Sequence, residues 1–521
     1  MSSILEKHIN QLVESGSIEA LARIHRGIEK ESLRIRPDGQ LAQTRHPKAL
    51  GSPLTHPYIT TDFSEALLEF VTPVSTDIAV TLEQLTQIHQ FVFANIGDEK
   101  LWVNSMPCML KDDDDVSIAQ YGNSNVGQMK HIYRKGLSYR YGRKMQAISG
   151  IHYNFSLPQE FWSSYRQNRL ADLSLREFIS ESYFGLVRNF HKYCWLILYL
   201  FGASPAVCKS FLDNNPHGLE SFDSHTLHLP FATSLRMSKL GYQNSSQAVV
   251  SLCYDSVDEY INCLKQYTET PHPEYEKIGV KRNGEYRQLN ANLLQIENEY
   301  YSVIRPKRVT LSGEKPSIAL ADRGVEYVEV RCMDLDPFIP IGIDENQIRF
   351  LDIFLLYCLL EESPPIPQPE IKEISENQNL AVTRGREPGI ELSNNNKAVK
   401  LKGWAGLICQ RLEAVAEVLD QAHGSSQYSK VLQGQVEKIT HPELTASARI
   451  LSELETRNIS FFRFALEKAE QHERHFKGHL LPKEQRMEYE SLAQSSLIQQ
   501  AEIEHSDKLS FDQFLAEYFA Q

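Results

Sequence analysis

The chain has 521 residues, 41% of them hydrophobic and 23% charged, with a formal net charge of −13. That is an ordinary globular composition, with room for one large core or two to three domains. The acidic excess argues against sequence-independent nucleic-acid binding, which needs a basic footprint, and no apolar run approaches the ~20 residues that span a bilayer.

Residues 1–25 read as amphipathic helix. The opening "MSSILEKHINQLVESG" lacks the basic-then-apolar pattern of a signal peptide, so a cytoplasmic protein is expected. "RGIEKESLRI" (26–35) reads as a strand closed by the turn "RPDG" (36–39). Strand alternation puts Glu29 and Glu31 on one face with Leu33 and Ile35. Two neighbouring carboxylates on an apolar face repel each other and resist burial, so either cations sit between them or the face is not core.

"ALLEFVTP" (66–73) is short enough to be a strand or a helix end, and 78–100 carries a helical pattern. "KDDDDVS" (111–117) reads as a solvated acidic turn; its spacing is not that of an EF-hand. "GIHYNFSL" (150–157) alternates, with Ile151, Tyr153, Phe155 and Leu157 on one face and His152, Asn154 and Ser156 on the other. Residues 172–202 read as helix, and "CWLILYLFG" (194–202) and "IFLLYCLL" (353–360) as buried core helices. "GVEYVEVRCMD" (324–334) is a further alternating strand, carrying Tyr327, Glu329 and Arg331 on one face.

"EESPPIPQPEI" (361–371), with four prolines in six residues, is the best linker, and the chain beyond it is mostly helical and charged. It divides a catalytic region, 1–365, from a helix-rich region, 366–521, expected to pack on it. Strands mixed with helix blocks predict an α+β fold. The eight cysteines show no C-x-x-C spacing and read as reduced, mostly buried thiols. "QHERHFKGH" (471–479) lacks H-E-x-x-H spacing and reads as a solvated helix end. Neither Gly-rich phosphate loop, G-x-x-x-x-G-K-[ST] or G-x-G-x-x-G, occurs.

The chemistry-bearing positions are Glu29, Glu31, Asp62, Glu69, His152, Glu329 and Arg331. Each alone has a bland reading, such as a cap for Asp62 or a salt bridge between Glu329 and Arg331. If they converge, five carboxylates and an imidazole demand cations. One Mg²⁺ takes only one or two carboxylates and completes its shell with water and phosphates. The set therefore points to more than one ion bridged by a polyphosphate, with Arg331 stabilising the moving phosphoryl group.

Several long stretches, in order across 26 to about 342, carry a family resemblance: "RGIEKESLRI", "HPKALGSPLTHPYITTDFSEALLEFVTP", "AQYGNSNVG", "QAISGIHYNFSLP", "YLFGASPAVC", "ATSLRMSKLGY", "LQIENEYYSVIRPKRV" and "VEYVEVRCMDLDPF". The chain resembles the glutamate–cysteine ligases of the γ-proteobacterial type, and the match fades after about 360. The resemblance implies a glutamine-synthetase-like fold whose antiparallel sheet curls into a funnel. It implies a reaction in which ATP activates the γ-carboxylate of L-glutamate as an acyl phosphate, which the amine of L-cysteine displaces. That reaction opens glutathione biosynthesis, and glutathione is the feedback inhibitor such a family suggests.

By the same resemblance, Glu29, Glu31, Asp62, Glu69, His152 and Glu329 hold two or three Mg²⁺ ions, with Mn²⁺ as a substitute, and Arg331 supports phosphoryl transfer. Arg236 is implied to clamp a substrate carboxylate, and Gln146 and Asn154 to line the glutamate pocket. Phe63, Tyr133, Tyr242 and Tyr301 are implied to form the cysteine pocket. Arg305, Lys307 and Arg308 are weak candidates for nucleotide phosphates, and a monomer is expected. Two rival readings remain: a related carboxylate–amine ligase using a different amine, and a metal- or nucleotide-binding protein without turnover. The tyrosines argue against ammonia as the amine, and Arg331 argues against binding alone.

Overall fold

The computed structural model describes residues 4–166, 172–212, 217–241 and 253–521. Its centre is a seven-stranded antiparallel sheet: β1 (His25–Ile35), β2 (Ile59–Thr61), β3 (Leu67–Val71), β4 (Lys100–Leu101), β5 (Ile151–Ser156), β6 (Ile304–Lys307) and β7 (Tyr327–Met333). The strand order is β6-β7-β5-β1-β3-β2, with β4 pairing the far end of β1. An antiparallel sheet tolerates two unlike faces, and this one uses that freedom.

One face is apolar. Ile28, Tyr153, Phe155, Val328 and Val330 are fully buried against helices. Those helices include Trp195–Phe201 and Glu345–Leu360, the two apolar runs expected in the core. The segment 66–73, ambiguous by periodicity, is strand because Leu68 and Phe70 fill this layer while Glu69 points the other way. A buried ion pair also sits here: Asp352 accepts from Arg26 Nη2 at 2.7 Å, from Tyr153 OH at 2.6 Å and from Tyr428 OH at 3.2 Å. Tyr428 belongs to the helix Gln427–Thr440, so the chain beyond the prolines helps close the sheet's apolar side.

The proline-rich stretch runs irregularly only as far as Pro367; Pro369 lies in the first turn of the helix Gln368–Arg384, where a missing N–H costs nothing. The remainder is helical apart from the hairpin Glu391–Asn394 and Lys397–Lys400.

Two expectations are corrected. The cysteines are not all free: Cys108 and Cys208 form a disulfide, their Cα atoms 5.2 Å apart. The partners are 100 residues apart and meet because two segments pack in one core, which no local spacing reveals. The other six cysteines are free thiols. Within 471–479, His472 is buried rather than solvated, because the helix Phe461–Gly478 lays it beside Lys30 and His89 under the sheet. No helix among the described residues is long and apolar enough to cross a membrane.

Candidate active site

The other face of the sheet carries the charge, and strand register brings it together. Glu31 of β1 stands opposite Glu69 of β3, and Glu29 stands opposite His152 of β5. Glu329 of β7 stands opposite Asn154 of β5 on one side and Arg305 of β6 on the other. Directly opposed side chains lie ~4.5–5.5 Å apart at Cβ, so like charges placed there repel strongly. Side chains on one face of five strands thus converge without any loop having to fold over them.

His152 is the hub. Its Nδ1 lies 3.0 Å from Glu29 Oε2 and 3.8 Å from Glu329 Oε1, and its Nε2 lies 3.8 Å from Glu31 Oε1. One donor atom each from Glu29, His152 and Glu329 falls within 4.8 Å of the others, a spacing one cation can span. Glu31 also accepts the Gly150 backbone N–H at 2.6 Å, and Asn154 Nδ2 donates to Glu29 at 2.9 Å. Arg331 Nη1 donates to Glu329 at 2.9 Å, and Lys307 Nζ lies 3.4 Å from the same carboxylate.

The electrostatics divide the carboxylates in two. Burial and the neighbouring Glu329 push Glu29 up, but His152 and Lys307 outweigh them and hold it below its ordinary range. Burial likewise opposes ionisation of Glu329, yet Lys307, Arg331, His152 and Arg305 keep it well below. Glu31 is pushed up by burial and by Asp62, against His152, Arg236 and Arg331. Glu69 is pushed well up, by burial first and then by Glu29, Asp62 and Glu31. On the Glu29–Glu329 side the protein's own cations outweigh burial; at Glu31 and Glu69 burial and neighbouring carboxylates outweigh the cations.

A cavity of about 400 Å³ opens beside this second side. Its walls include the expected Glu31, Asp62, Phe63, Tyr133, Gln146, Tyr301, Arg305 and Arg331. Sequence reasoning missed Arg134, Arg140, Tyr141, Asn298 and Glu299, which line it too. Arg134, Leu137, Arg140 and Tyr141 recur with Tyr133 at near-helical spacing on the helix Asn125–Tyr141, a signal that could have found them. Arg140 Nη1 and Tyr141 OH both donate to Glu299 Oε1, at 2.9 and 2.6 Å, which fixes the wall. Arg134 Nε donates to the Asp62 backbone carbonyl, and its guanidinium stacks 4.6 Å over the Tyr121 ring.

Other expected residues lie elsewhere. Asn154 is on the Glu29 side, not on the cavity wall beside Gln146. Arg236 is 1% exposed beneath the floor, donating to the carbonyls of Arg331 (2.9 Å) and Met333 (3.3 Å). A Cβ on Gly150 would collide with its guanidinium, so glycine is what lets Arg236 lie there. Arg308 turns away to Glu326, 3.5 Å distant. Tyr301, on the cavity wall, lies in an irregular stretch, its hydroxyl 3.1 Å from Met237 Sδ. Tyr242 lies outside the described residues.

Residues 9–381 match the sequence profile of a family described as glutamate-cysteine ligase. A glutamate–cysteine ligase of Alcanivorax borkumensis is 53% identical over 521 residues, covering 99% of both chains. One from Azotobacter vinelandii is 50% identical, covering 100% of this chain and 99% of its own. The similarity thus extends through the helical C-terminal part. The crystal structure of a glutamate–cysteine ligase from Francisella tularensis in complex with AMP superposes with a TM-score of 0.90 at 36% identity, over 96% of this chain and 98% of that one. A bifunctional glutathione synthetase from Pasteurella multocida gives 0.71 at 25% identity, over 91% of this chain and 55% of the other.

Proposed function

The chain belongs to the glutamate–cysteine ligase family, and on that premise we propose that it joins the γ-carboxylate of L-glutamate to the amine of L-cysteine at the expense of ATP. The observation that carries the reading is a polar cluster, Glu29, Glu31, Glu69, His152 and Glu329, set beside Arg331 at the wall of a cavity large enough for small substrates.

The donor set fits divalent metal. Hard oxygens with one imidazole suit Mg²⁺ or Mn²⁺. The raised Glu31 and Glu69 mark charge that the protein itself leaves unbalanced. Glu29, His152 and Glu329 would hold one ion, and Glu31, Asp62 and Glu69 the rest. When bound, such ions offset the charge of the polyphosphate and of the incoming carboxylate.

A carboxylate oxygen of glutamate attacks the γ-phosphorus of ATP, the bond to the bridging oxygen breaks, and ADP leaves. The cysteine nitrogen then attacks the acyl carbon, and the bond to the phosphate oxygen breaks. Arg331 stands where charge moves in the first step, and its fork meets phosphoryl oxygens in a way an ammonium would not. Its Nε is buried without a hydrogen-bond partner, a donor in reserve. Phe63, Tyr133 and Tyr301 offer ring surface and hydroxyls to a small thiol amino acid, through sulfur–aromatic contacts worth ~0.3–1.5 kcal/mol. Arg134, on the same wall, adds a guanidinium suited to a carboxylate.

Phosphate release with ATP, Mg²⁺, glutamate and a panel of amines tests the reading. Cysteine should support turnover and 2-aminobutyrate should substitute, since one small group is worth only about 1–3 kcal/mol. Turnover with ammonia equal to that with cysteine would overturn the acceptor assignment. Nucleotide binding with no phosphate release in any mixture would overturn the ligase.

A further inference from the structure

The last helix, Phe511–Ala520, opens with a capping box between Ser510 and Gln513 and buries Leu515 (5% exposed) against Ile132 and Leu289. Tyr133, a wall of the cavity, packs against the same small cluster. The helix is therefore one residue layer from the acceptor pocket.

Polar ties anchor it at three places. Ahead of it, Asp507 and the Leu509 carbonyl accept from Asn125, N–H at 2.5 Å and Nδ2 at 3.0 Å, at the start of the Tyr133 helix. In its first turn Asp512 accepts from Lys281 Nζ at 2.7 Å and Tyr286 OH at 2.5 Å. At its end Gln521 Nε2 donates to the Gly313 carbonyl at 3.0 Å and Lys315 Nζ to the Phe519 carbonyl at 3.4 Å. Those anchors lie on the segments that lead to Tyr133, to Glu299 and Tyr301, and away from Arg305. One short helix thus ties together three stretches of chain that build one side of the cavity. The wall behind it is rigid: Gln295 fills the space at Gly136, accepts from the Leu289 N–H at 3.0 Å and donates to the Tyr133 carbonyl at 3.1 Å.

We propose that the C-terminal helix is a strap that positions the acceptor wall, with Leu515 as the positioning residue that sets the Tyr133 ring. This rests on the reading that Tyr133 faces cysteine. Gln146, on the same cavity, and Arg236, behind it, make none of these contacts, so the strap bears on Tyr133 and not on the residues read as holding glutamate.

The test is steady-state kinetics of full-length Leu515→Ala and Leu515→Met, beside Tyr133→Ala. Leu515→Ala should raise KM for cysteine several-fold, leave KM for glutamate unchanged, and speed amide exchange in 125–141. Leu515→Met, of similar volume, should restore KM for cysteine. Partial unfolding would lower kcat without moving KM, so KM is the discriminating readout. A raised KM for cysteine in Tyr133→Ala with none in Leu515→Ala would overturn the strap alone. An unchanged KM for cysteine in Tyr133→Ala would overturn the acceptor pocket, and the strap with it.

Discussion

The two faces of one sheet handle charge in opposite ways. On the apolar face, Arg26 and Asp352 are both about fully buried, yet each is satisfied: the pair is bidentate and Tyr153 and Tyr428 complete it. Lys30, with no carboxylate beside it among the described residues, is instead pushed down to about 7 by burial. It donates to Ser32 Oγ at 2.5 Å and lies 5.7 Å from the Phe70 ring. On the site face, Glu31 and Glu69 stand opposed and Asp62 adds to both. One face pairs its buried charges; the other holds carboxylates whose repulsion a proton or a bound cation would relieve. Residues Glu29, Lys30 and Glu31, consecutive in one strand, alternate between the two regimes.

Substitution should therefore separate stability from activity by face. Asp352→Ala leaves Arg26 buried and unpaired, and should cost ~3–5 kcal/mol in urea unfolding, with the kcat of the protein still folded little changed. An undiminished stability would show that the pair is not what joins the C-terminal helices to the sheet. Next comes Arg331→Ala, expected to lower kcat by ~10²–10³ while leaving KM for cysteine nearly alone, since its donors act on charge that moves. Arg331→Lys should also be poor. An unaltered kcat in either variant would remove Arg331 from phosphoryl transfer.

Between pH 6 and 4 the apolar face should contribute its own acid sensitivity through a buried histidine. His472 is held down to about 3 by burial first and by the Lys30 charge second, so it is neutral in the folded chain at pH 6 while the unfolded chain binds a proton. Its contribution is complete above the ordinary histidine range and is lost as pH falls toward about 3. His472→Gln should remove ~1.4 kcal/mol per pH unit from the slope of stability between pH 6 and 4. Unchanged slopes would assign the acid sensitivity elsewhere. The smallest effect has the opposite sign: Glu69→Gln removes a repelled carboxylate. Without divalent metal it should be more stable than the unaltered chain by on the order of 1 kcal/mol, while turnover collapses. A destabilised Glu69→Gln would mean the site face is not under electrostatic strain.

What could be read in the sequence follows from range. Alternation within 26–35, 150–157 and 324–334 is local, so the faces and their polar members are legible. Register is not local. That Glu31 meets Glu69, and Glu29 meets His152, depends on pairing between segments far apart in the chain. Only the family resemblance supplied that convergence. The Asn125–Tyr141 wall was missed because Arg134, Arg140 and Tyr141 look like a solvated helix face until the 288–299 segment covers it. Gln146 and Asn154 share a motif, but which of them lines the cavity depends on pairing: a strand carries Asn154 beyond His152 to Glu29. The Cys108–Cys208 pair had no spacing to betray it.

Everything proposed for the charged face rests on its holding divalent metal. Crystals grown with Mn²⁺ and a non-hydrolysable ATP analogue, measured for anomalous scattering, test it most directly. One peak is expected among Glu29, His152 and Glu329, and at least one more among Glu31, Asp62 and Glu69, at coordination distances of ~2.0–2.2 Å. Nucleotide bound in the cavity with no anomalous peak at either group would contradict it.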